Sequence, residues 1–165
     1  MDDIELESTG QILLTAEGHA RLKNELQRLS VDKRAEIAER IRDSKDRGEF
    51  SEDNSELEEV KIEQAMVENR INELKAMFAN AAIINKRKVS TKEVGLGARV
   101  TVKDKRRRIE FEVRIVASVE ANPDEDLISD ESPLGRALLG KAVGDIVRYS
   151  APAGDLRYEI TNIRR

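Results

Sequence analysis

The sequence predicts an α+β fold in which an N-terminal antiparallel α-helical coiled-coil hairpin precedes a small β-rich domain. Apolar residues before about residue 82 recur at alternating spacings of three and four, which is typical of one helix packed along another. From Ala98 onward the apolar period falls to two, which indicates strands. A polar segment with two glycines lies between them. We therefore expect a flexible leader (1–12), the hairpin (13–82), a linker (83–97) and the β-rich domain (98–165).

The composition restricts the class of protein. Charged residues make up 38% of the chain, against about 25% in an ordinary domain, and a two-stranded rod that exposes most of its surface explains the excess. The chain has no Cys, which excludes disulfides, thiol catalysis and zinc ribbons and favours a reducing, cytoplasmic location. Its apolar runs fall short of the roughly 20 residues that a membrane span needs. We expect a cytoplasmic protein with no membrane partner.

The net charge of −4 hides an asymmetry between the two halves. Residues 1–85 hold 12 Lys and Arg against 20 Asp and Glu, for a net −8, and residues 86–165 carry a net +4. Free duplex DNA is an unfavourable target for the acidic hairpin. The basic run Lys103–Arg108 is able to touch phosphate, although such a run more often forms a solvated turn.

The first helix is predicted to begin after Thr15, a suitable N-cap, and to stop at Gly48. The single His19 has no neighbouring catalytic partner in the sequence, so we interpret it as a packing or surface residue. A loose apolar stripe marks the buried face of this helix, at Leu22, Leu26, Leu29, Ile37 and Ile41.

The second helix is predicted to run from the acidic turn to about Ala81. Asp53 and Glu56 have the spacing of a capping box at its start. Its apolar or small-polar seam is regular, at Leu57, Val60, Gln64, Val67, Ile71, Leu74 and Phe78. Arms of roughly 25 to 30 residues reach about 40 to 45 Å at 1.5 Å per residue. The hairpin therefore carries its acidic tip, residues 48–54, far from the rest of the chain.

The second half alternates as an antiparallel sheet does. Strands are predicted at 99–102, 109–116, 146–149 and 156–163, with a short extended segment at 127–129 and a turn at 103–108. One face of the second strand carries Ile109, Phe111, Val113 and Ile115. Ser132 at the N-cap and Pro133 at the first helical position start one short helix, over 134–139.

The tip is the cluster of side chains best suited to a chemical role. Glu49, Glu52 and Asp53 lie within a few residues of one another, and Mg²⁺ commonly binds one or two carboxylates while keeping several waters. Such a tip would hold the ion poorly alone, but it could complete a metal site that another molecule supplies. The alternative is that acids gather there because a helix N-terminus favours negative charge. The remote placement favours the shared metal site, because acids that only stabilise a helix N-terminus would not need to lie at the end of a long hairpin.

Two cations flank the tip, Lys45 before it and Lys61 after it. On a hairpin they could meet a nucleic-acid phosphate together. Each taken alone is more typical of a solvated helix charge, and Glu58 lies three residues before Lys61 on the same helical face.

Several segments resemble the Gre factor family of bacterial transcript-cleavage and elongation factors, and the similarity covers nearly the whole chain from Leu14. LTAEGHARLKNEL resembles the family's opening, and RGEFSEDNSEL resembles its acidic tip, usually written GDLxENAEY. EQAMVENRINELKAMFANAAIIN is similar to its second helix. The most specific segment is LISDESPLGRALLGKAVGDIV, which resembles LISxxSPIARxLIGKxxGDxV.

The resemblance implies an FKBP-like second domain that docks on bacterial RNA polymerase, with Asp130, Ser132 and Pro133 in the docking loop. It implies that the coiled coil enters the polymerase's secondary channel and that two tip acids help to hold a shared Mg²⁺ during cleavage of backtracked RNA. Glu49 matches the first acid. This tip has one extra residue, so either Asp53 or Glu52 matches the second. Lys45 and Lys61 match the basic pair that faces the RNA 3′ end. We expect a monomer that is not itself an enzyme.

Three alternatives remain at this point. Some relatives bind the same channel and inhibit or modulate the polymerase without stimulating cleavage. Because the tip of this chain is altered, that function is an alternative here. An FKBP-like domain also raises prolyl isomerase activity, which needs an aromatic pocket, whereas this half offers only Phe111, Tyr149 and Tyr158. A plain coiled-coil adaptor would need no tip acids.

Overall fold

The computed structural model describes residues 10–48 and 55–165. The contacts between Cα atoms divide the chain into two compact units. One is the helical hairpin His19–Ala81, and the other joins Ala82–Arg165 with the segment that ends at Gly18. The α+β class predicted from the change of period is confirmed. Within the described ranges, no helix is long and apolar enough to cross a membrane.

The hairpin has two antiparallel arms. The first contains α1 (Ala16–Arg28), a π-helical turn (Leu29–Lys33) and α2 (Arg34–Gly48), and the second is α3 (Ser55–Ala79). The predicted seam packs between the arms, and its most buried side chains are Leu22, Leu29, Ile37, Val60, Val67, Ile71 and Leu74. Met77, which was not predicted, is buried as well. The seam prediction is wrong at Gln64, which is exposed. His19 packs edge-on against Phe78, with 5.2 Å between ring centroids.

The π turn explains why the stripe of the first arm is loose. Leu29 and Ile37 are eight residues apart, and eight residues at about 100° each would leave Ile37 roughly 80° off the seam of a regular α-helix. The wider π turn absorbs one residue. Ile37 consequently returns to the seam with 1% of its surface exposed, while Val31 within the turn stays 60% exposed.

Ion pairs between the arms fix their register. Arg34 forms a two-pronged pair with Glu68 at 2.7 and 2.8 Å, and Arg40 donates to Glu63 at 2.6 Å. Nearer the base, Arg70 donates to Glu25 at 2.8 Å, and this contact lowers the pKa of Glu25. Solvent screens such exposed pairs, which therefore add little to stability, so the apolar seam supplies most of it.

The other unit is built on a five-stranded sheet. Its strands are β3 (Arg99–Asp104), β4 (Ile109–Val116), β5 (Leu127–Ser129), β6 (Ile146–Ala151) and β7 (Gly154–Arg164), and they lie in the order β5-β4-β3-β7-β6. All neighbours are antiparallel except β4 and β5, which run parallel. A separate pair, β1 (Ile12–Leu14) and β2 (Ala81–Ile83), forms a two-stranded sheet.

One short helix, α4 (Pro133–Leu138), follows β5, and its buried Leu138 belongs to the core of this unit. Val113 and Ile115 lie in that core as predicted, but Ile109 is 53% exposed because β4 begins there, at the turn from β3. The segment 83–97, predicted as a linker, contributes the buried Val89 and Val94 to the same core.

Candidate functional site

The loop between β5 and α4 is held rigid by a network of hydroxyl groups. Ser132 caps α4: its Oγ accepts from the Gly135 amide at 3.0 Å and donates to the Ser129 carbonyl at 2.6 Å. The Ser129 Oγ in turn shares a 2.7 Å hydrogen bond with Ser118 Oγ, which also donates to Glu131 at 3.0 Å. Pro133 occupies the first turn of α4, where a missing amide hydrogen costs nothing.

Close packing at Gly135 adds to this rigidity. A Cβ at that position would overlap the carbonyl oxygen of Ser129. Glycine therefore lets the first turn of α4 lie directly on the end of β5, so Ser129 and Ser132 reach hydrogen-bonding distance.

Asp130 lies at the centre of the loop. Its amide donates to the Val116 carbonyl at 2.9 Å, which fixes its backbone. Its side chain is half-buried, and no hydrogen bond or ion pair to its carboxylate occurs among residues 10–48 and 55–165. The loop thus presents, on a fixed backbone, a carboxylate whose pairing capacity is unused within the described chain.

The turn Ser118–Glu120, a 3₁₀ helix, also holds the start of α1. The buried Glu120 carboxylate accepts from the Thr15 amide at 2.8 Å and from the Thr15 hydroxyl at 2.5 Å. Thr15 Oγ accepts from the Gly18 amide at 3.0 Å, so Thr15 is the N-cap as predicted. No motif in the sequence points to Ser118 or Glu120, because their partners are distant in the chain.

The two predicted cations lie on opposite arms of the hairpin, and both are exposed. Counting five residues outward from the Arg40–Glu63 pair places Lys45 level with Glu58. Lys61 is three residues from Glu58, so the two lysines differ in height by about 4.5 Å, less than one helical turn. The register thus allows both to serve one extended anion.

The acidic tip, with Glu49, Glu52 and Asp53, lies outside the described residues, as do the leader residues 1–9 and the N-cap half of the predicted capping box. In the described ranges, no three His, Asp or Glu side chains come together in a way that could hold a metal ion.

Comparison with known proteins assigns both halves of the chain to one family. The family description "Transcription elongation factor, N-terminal" matches residues 12–83, and "Transcription elongation factor, GreA/GreB, C-term" matches residues 89–165. The chain belongs to the GreA/GreB family.

Individual GreA/GreB relatives match over almost their entire length. The transcription elongation factor GreA of Thermoanaerobacter pseudethanolicus is 46% identical over 154 residues, which cover 93% of this chain and 98% of the relative. GreA of Clostridioides difficile is 44% identical over 160 residues, 97% of this chain and 100% of the relative. The crystal structure of the Gfh1 protein of Thermus thermophilus is 31% identical, covering 94% of this chain and 99% of that one. Its TM-score of 0.43 is too low to support a conclusion from shape.

Proposed function

We propose that this chain binds bacterial RNA polymerase, extends its helical hairpin into the secondary channel and stimulates the polymerase's own cleavage of backtracked RNA. Membership of the GreA/GreB family across both halves is the observation that carries the proposal. A monomer acting in the bacterial cytoplasm fits this role. The chain would act as a helper in trans rather than as an enzyme.

The docking surface proposed for the polymerase is the loop Asp130–Pro133. The Asp130 backbone is fixed and its carboxylate has no partner among the described residues, so it is available to pair with a cation on another protein. Ser132 and Pro133 would keep that backbone in position through the start of α4, and Asp130 would make the contact itself.

The proposed metal role belongs to the tip. Glu49 and Asp53, with Glu52 as the alternative to Asp53, would donate oxygens to a Mg²⁺ that the polymerase already holds. The described residues bring together no metal-binding cluster of their own, so an ion shared with this chain would need ligands from the tip and the polymerase. Such an ion would activate water or stabilise a leaving oxygen. Lys45 and Lys61, close in height on the two arms, would meet phosphates near the RNA 3′ end.

A prolyl isomerase role has little support from the aromatic residues. Phe111 and Tyr149 both pack on the buried Tyr158, at centroid distances of 5.4 and 5.8 Å. The rings are therefore committed mainly to the core rather than to an open aromatic pocket.

The test of cleavage uses a backtracked elongation complex with Mg²⁺, comparing the wild type with Glu49→Ala, Glu52→Ala and Asp53→Ala. We expect wild type to accelerate RNA cleavage, and Glu49→Ala and Asp53→Ala to lose at least about a hundredfold while still binding, because a misplacement of about 1 Å already costs that much. A wild type that binds without accelerating cleavage would make the chain a channel binder that inhibits or modulates the polymerase instead. If Glu52→Ala is inactive and Asp53→Ala active, Glu52 is the second acid.

The test of docking is Asp130→Ala, with Asp124→Ala as the matched control on an exposed carboxylate of the same unit. A lost charged hydrogen bond is worth about 1.5–3 kcal/mol, so polymerase affinity should fall about ten- to a hundredfold. The melting temperature should stay the same, since the Asp130 carboxylate has no partner to lose among residues 10–48 and 55–165. Equal affinity of the two variants would exclude this surface.

A further inference from the structure

The two edges of the five-stranded sheet differ in how far they are closed. β5 is three residues long, and the chain itself covers its outer side, where Asn122 and Leu127 exchange backbone hydrogen bonds of 2.9 and 3.1 Å. β6 is six residues long and pairs with β7 alone among the described strands. An open edge strand presents unpaired amides and carbonyls that can receive another strand.

The outer side of β6 has backbone groups free for such pairing. In an antiparallel pair, successive residues turn their amide and carbonyl alternately toward and away from the partner strand. The Asp145 carbonyl accepts from the Ile160 amide on β7 at 2.9 Å, so the alternation turns Ile146, Arg148 and Ser150 outward. These three have no backbone hydrogen-bond partner on that side within residues 10–48 and 55–165. β6 also has no internal proline and no bulge in its register with β7, two devices that commonly close an edge.

Two exposed arginines mark the solvent face of this edge. Arg148 and Arg157 are directly opposite each other in the β6–β7 register, and like charges in that position destabilise a sheet. Neither guanidinium has an ion-pair partner in the described part of the chain, whereas Arg164 on the same sheet pairs with Glu112 at 2.7 Å. One cation on the edge strand would be enough to discourage unwanted pairing. Arg157 lies one strand further in, so it adds repulsion without shielding the edge.

The same arginines work against pairing between two copies of the chain. The register that overlaps two β6 strands most fully, with Ile146 opposite Ser150, sets Arg148 opposite the same residue of the second copy. The guanidinium groups of both copies would then lie in one row, at a cost in stability. A carboxylate residue opposite Arg148 would instead come within about 5 Å, Cβ to Cβ, and would offset the repulsion between Arg148 and Arg157.

We propose that the β6 edge binds an extended, acidic segment of a partner protein as a sixth strand of the sheet. Backbone hydrogen bonds to Ile146, Arg148 and Ser150 would supply the affinity, and a carboxylate opposite Arg148 would supply the specificity. A free anion or a nucleic-acid phosphate would meet the arginines without using the strand edge. An uncharged strand would use the edge and leave the arginines unpaired. An acidic peptide strand uses both features, and this site does not depend on the proposed docking loop or tip.

The test titrates the full-length chain with a capped nine-residue peptide of alternating threonine and valine whose central residue is glutamate, at about 0.15 M salt. NMR should show amide shifts concentrated in β6. Hydrogen exchange at Ile146, Arg148 and Ser150 should slow, because new backbone hydrogen bonds protect those amides. The same peptide with glutamine at its centre should bind about threefold more weakly, as expected for the loss of an exposed charge pair.

A pair of double variants isolates the charge contact. Arg148→Gln/Arg157→Gln should bind the glutamate and glutamine peptides equally, because the difference between the two peptides measures the contact that these arginines make. Arg42→Gln/Arg87→Gln removes the same charge from exposed arginines outside β6 and β7 and should keep the threefold preference for glutamate.

Changes in the peptide isolate the strand contact. Methylating every second backbone nitrogen removes the hydrogen-bond donors from one side of a strand and leaves those of the other side in place. Of the two alternate methylation patterns, one should abolish binding and the other should preserve it. The protein is unchanged in this comparison, so its folding does not enter the result.

Four results would overturn the proposal. Two are an absence of binding at millimolar peptide and equal affinities of the two methylated peptides. The third is tighter binding of a single-stranded RNA 12-mer than of the glutamate peptide, which would make the arginines a phosphate site. The fourth is a dimer in sedimentation that the peptide dissociates, which would assign the edge to a second copy. No polymerase is present, so these results are independent of the cleavage assay.

Discussion

Deleting Val31 tests whether the π turn absorbs one extra residue. After the deletion Leu29 and Ile37 are seven residues apart, and a regular α-helix then brings Ile37 to within about 20° of the seam. The side chain removed is 60% exposed. We therefore expect the turn to become α-helical, the seam to survive and the free energy of unfolding to change by less than about 1 kcal/mol.

Deleting Asn69 is the matched control, because α3 is α-helical from Ser55 to Ala79 and has no π turn to lose. Asn69 is exposed and lies between the seam residues Val67 and Ile71. Its deletion rotates one half of α3 by about 100° against the other. At least two buried side chains, such as Val60 and Val67, would leave the seam at about 1.5–3 kcal/mol each. The expected loss is roughly 3–6 kcal/mol.

The assay for both deletions is urea unfolding followed by far-UV circular dichroism, which reports mainly on the hairpin helices. The chain has two units, so hydrogen exchange at the seam amides accompanies it to assign the transition to the hairpin. A Val31 deletion as damaging as the Asn69 deletion would show that the π turn does not compensate for an inserted residue, and the angular reasoning would be refuted.

Three further predictions concern stability. Ile71→Ala removes a fully buried seam side chain and should cost about 2–5 kcal/mol in urea unfolding, whereas Ile62→Ala, at 63% exposed, should cost less than about 0.5 kcal/mol. Ser132→Ala removes the α4 cap and should cost about 1 kcal/mol, measured by thermal unfolding, with recovery in Ser132→Thr. Arg70 lowers the pKa of Glu25 below its ordinary 4.5, so the pair stabilises the hairpin fully above about pH 4.5. This stabilisation is lost as the pH falls through the lowered pKa. Arg70→Gln should therefore make the free energy of unfolding depend less on pH between pH 5 and 3.

The sequence predicted correctly those secondary-structure elements that depend on residues close together in the chain. Ser132 and Pro133 start α4 as expected, because a cap and a fixed φ act within one turn. The seam of α3 was readable for the same reason, since an uninterrupted helix keeps a constant period. The π turn was not, because what selects it is the opposite arm, against which Ile37 must pack.

Long-range pairing accounts for the rest of what was missed. The parallel placement of β5 beside β4, the burial of Val89 and Val94 in the core and the Glu120–Thr15 contact all join segments that no local pattern links. The proposed docking residue Asp130 was found through resemblance, and only the structure shows that its carboxylate has no partner among the described residues. The identity of the second tip acid stays a prediction, because the tip lies outside the described residues.

The contact between Thr15 and Glu120 has a consequence for how the protein is made. The two residues are 105 positions apart, and a ribosome adds about 5 to 20 residues per second. Thr15 is therefore synthesised roughly 5 to 20 seconds before the Glu120 carboxylate that anchors it exists. During that interval the Thr15 hydroxyl can cap the helix through Gly18, but its own partner is water. The anchoring of the start of α1 must then be a late event in synthesis, completed only after all of β3 and β4 has been translated.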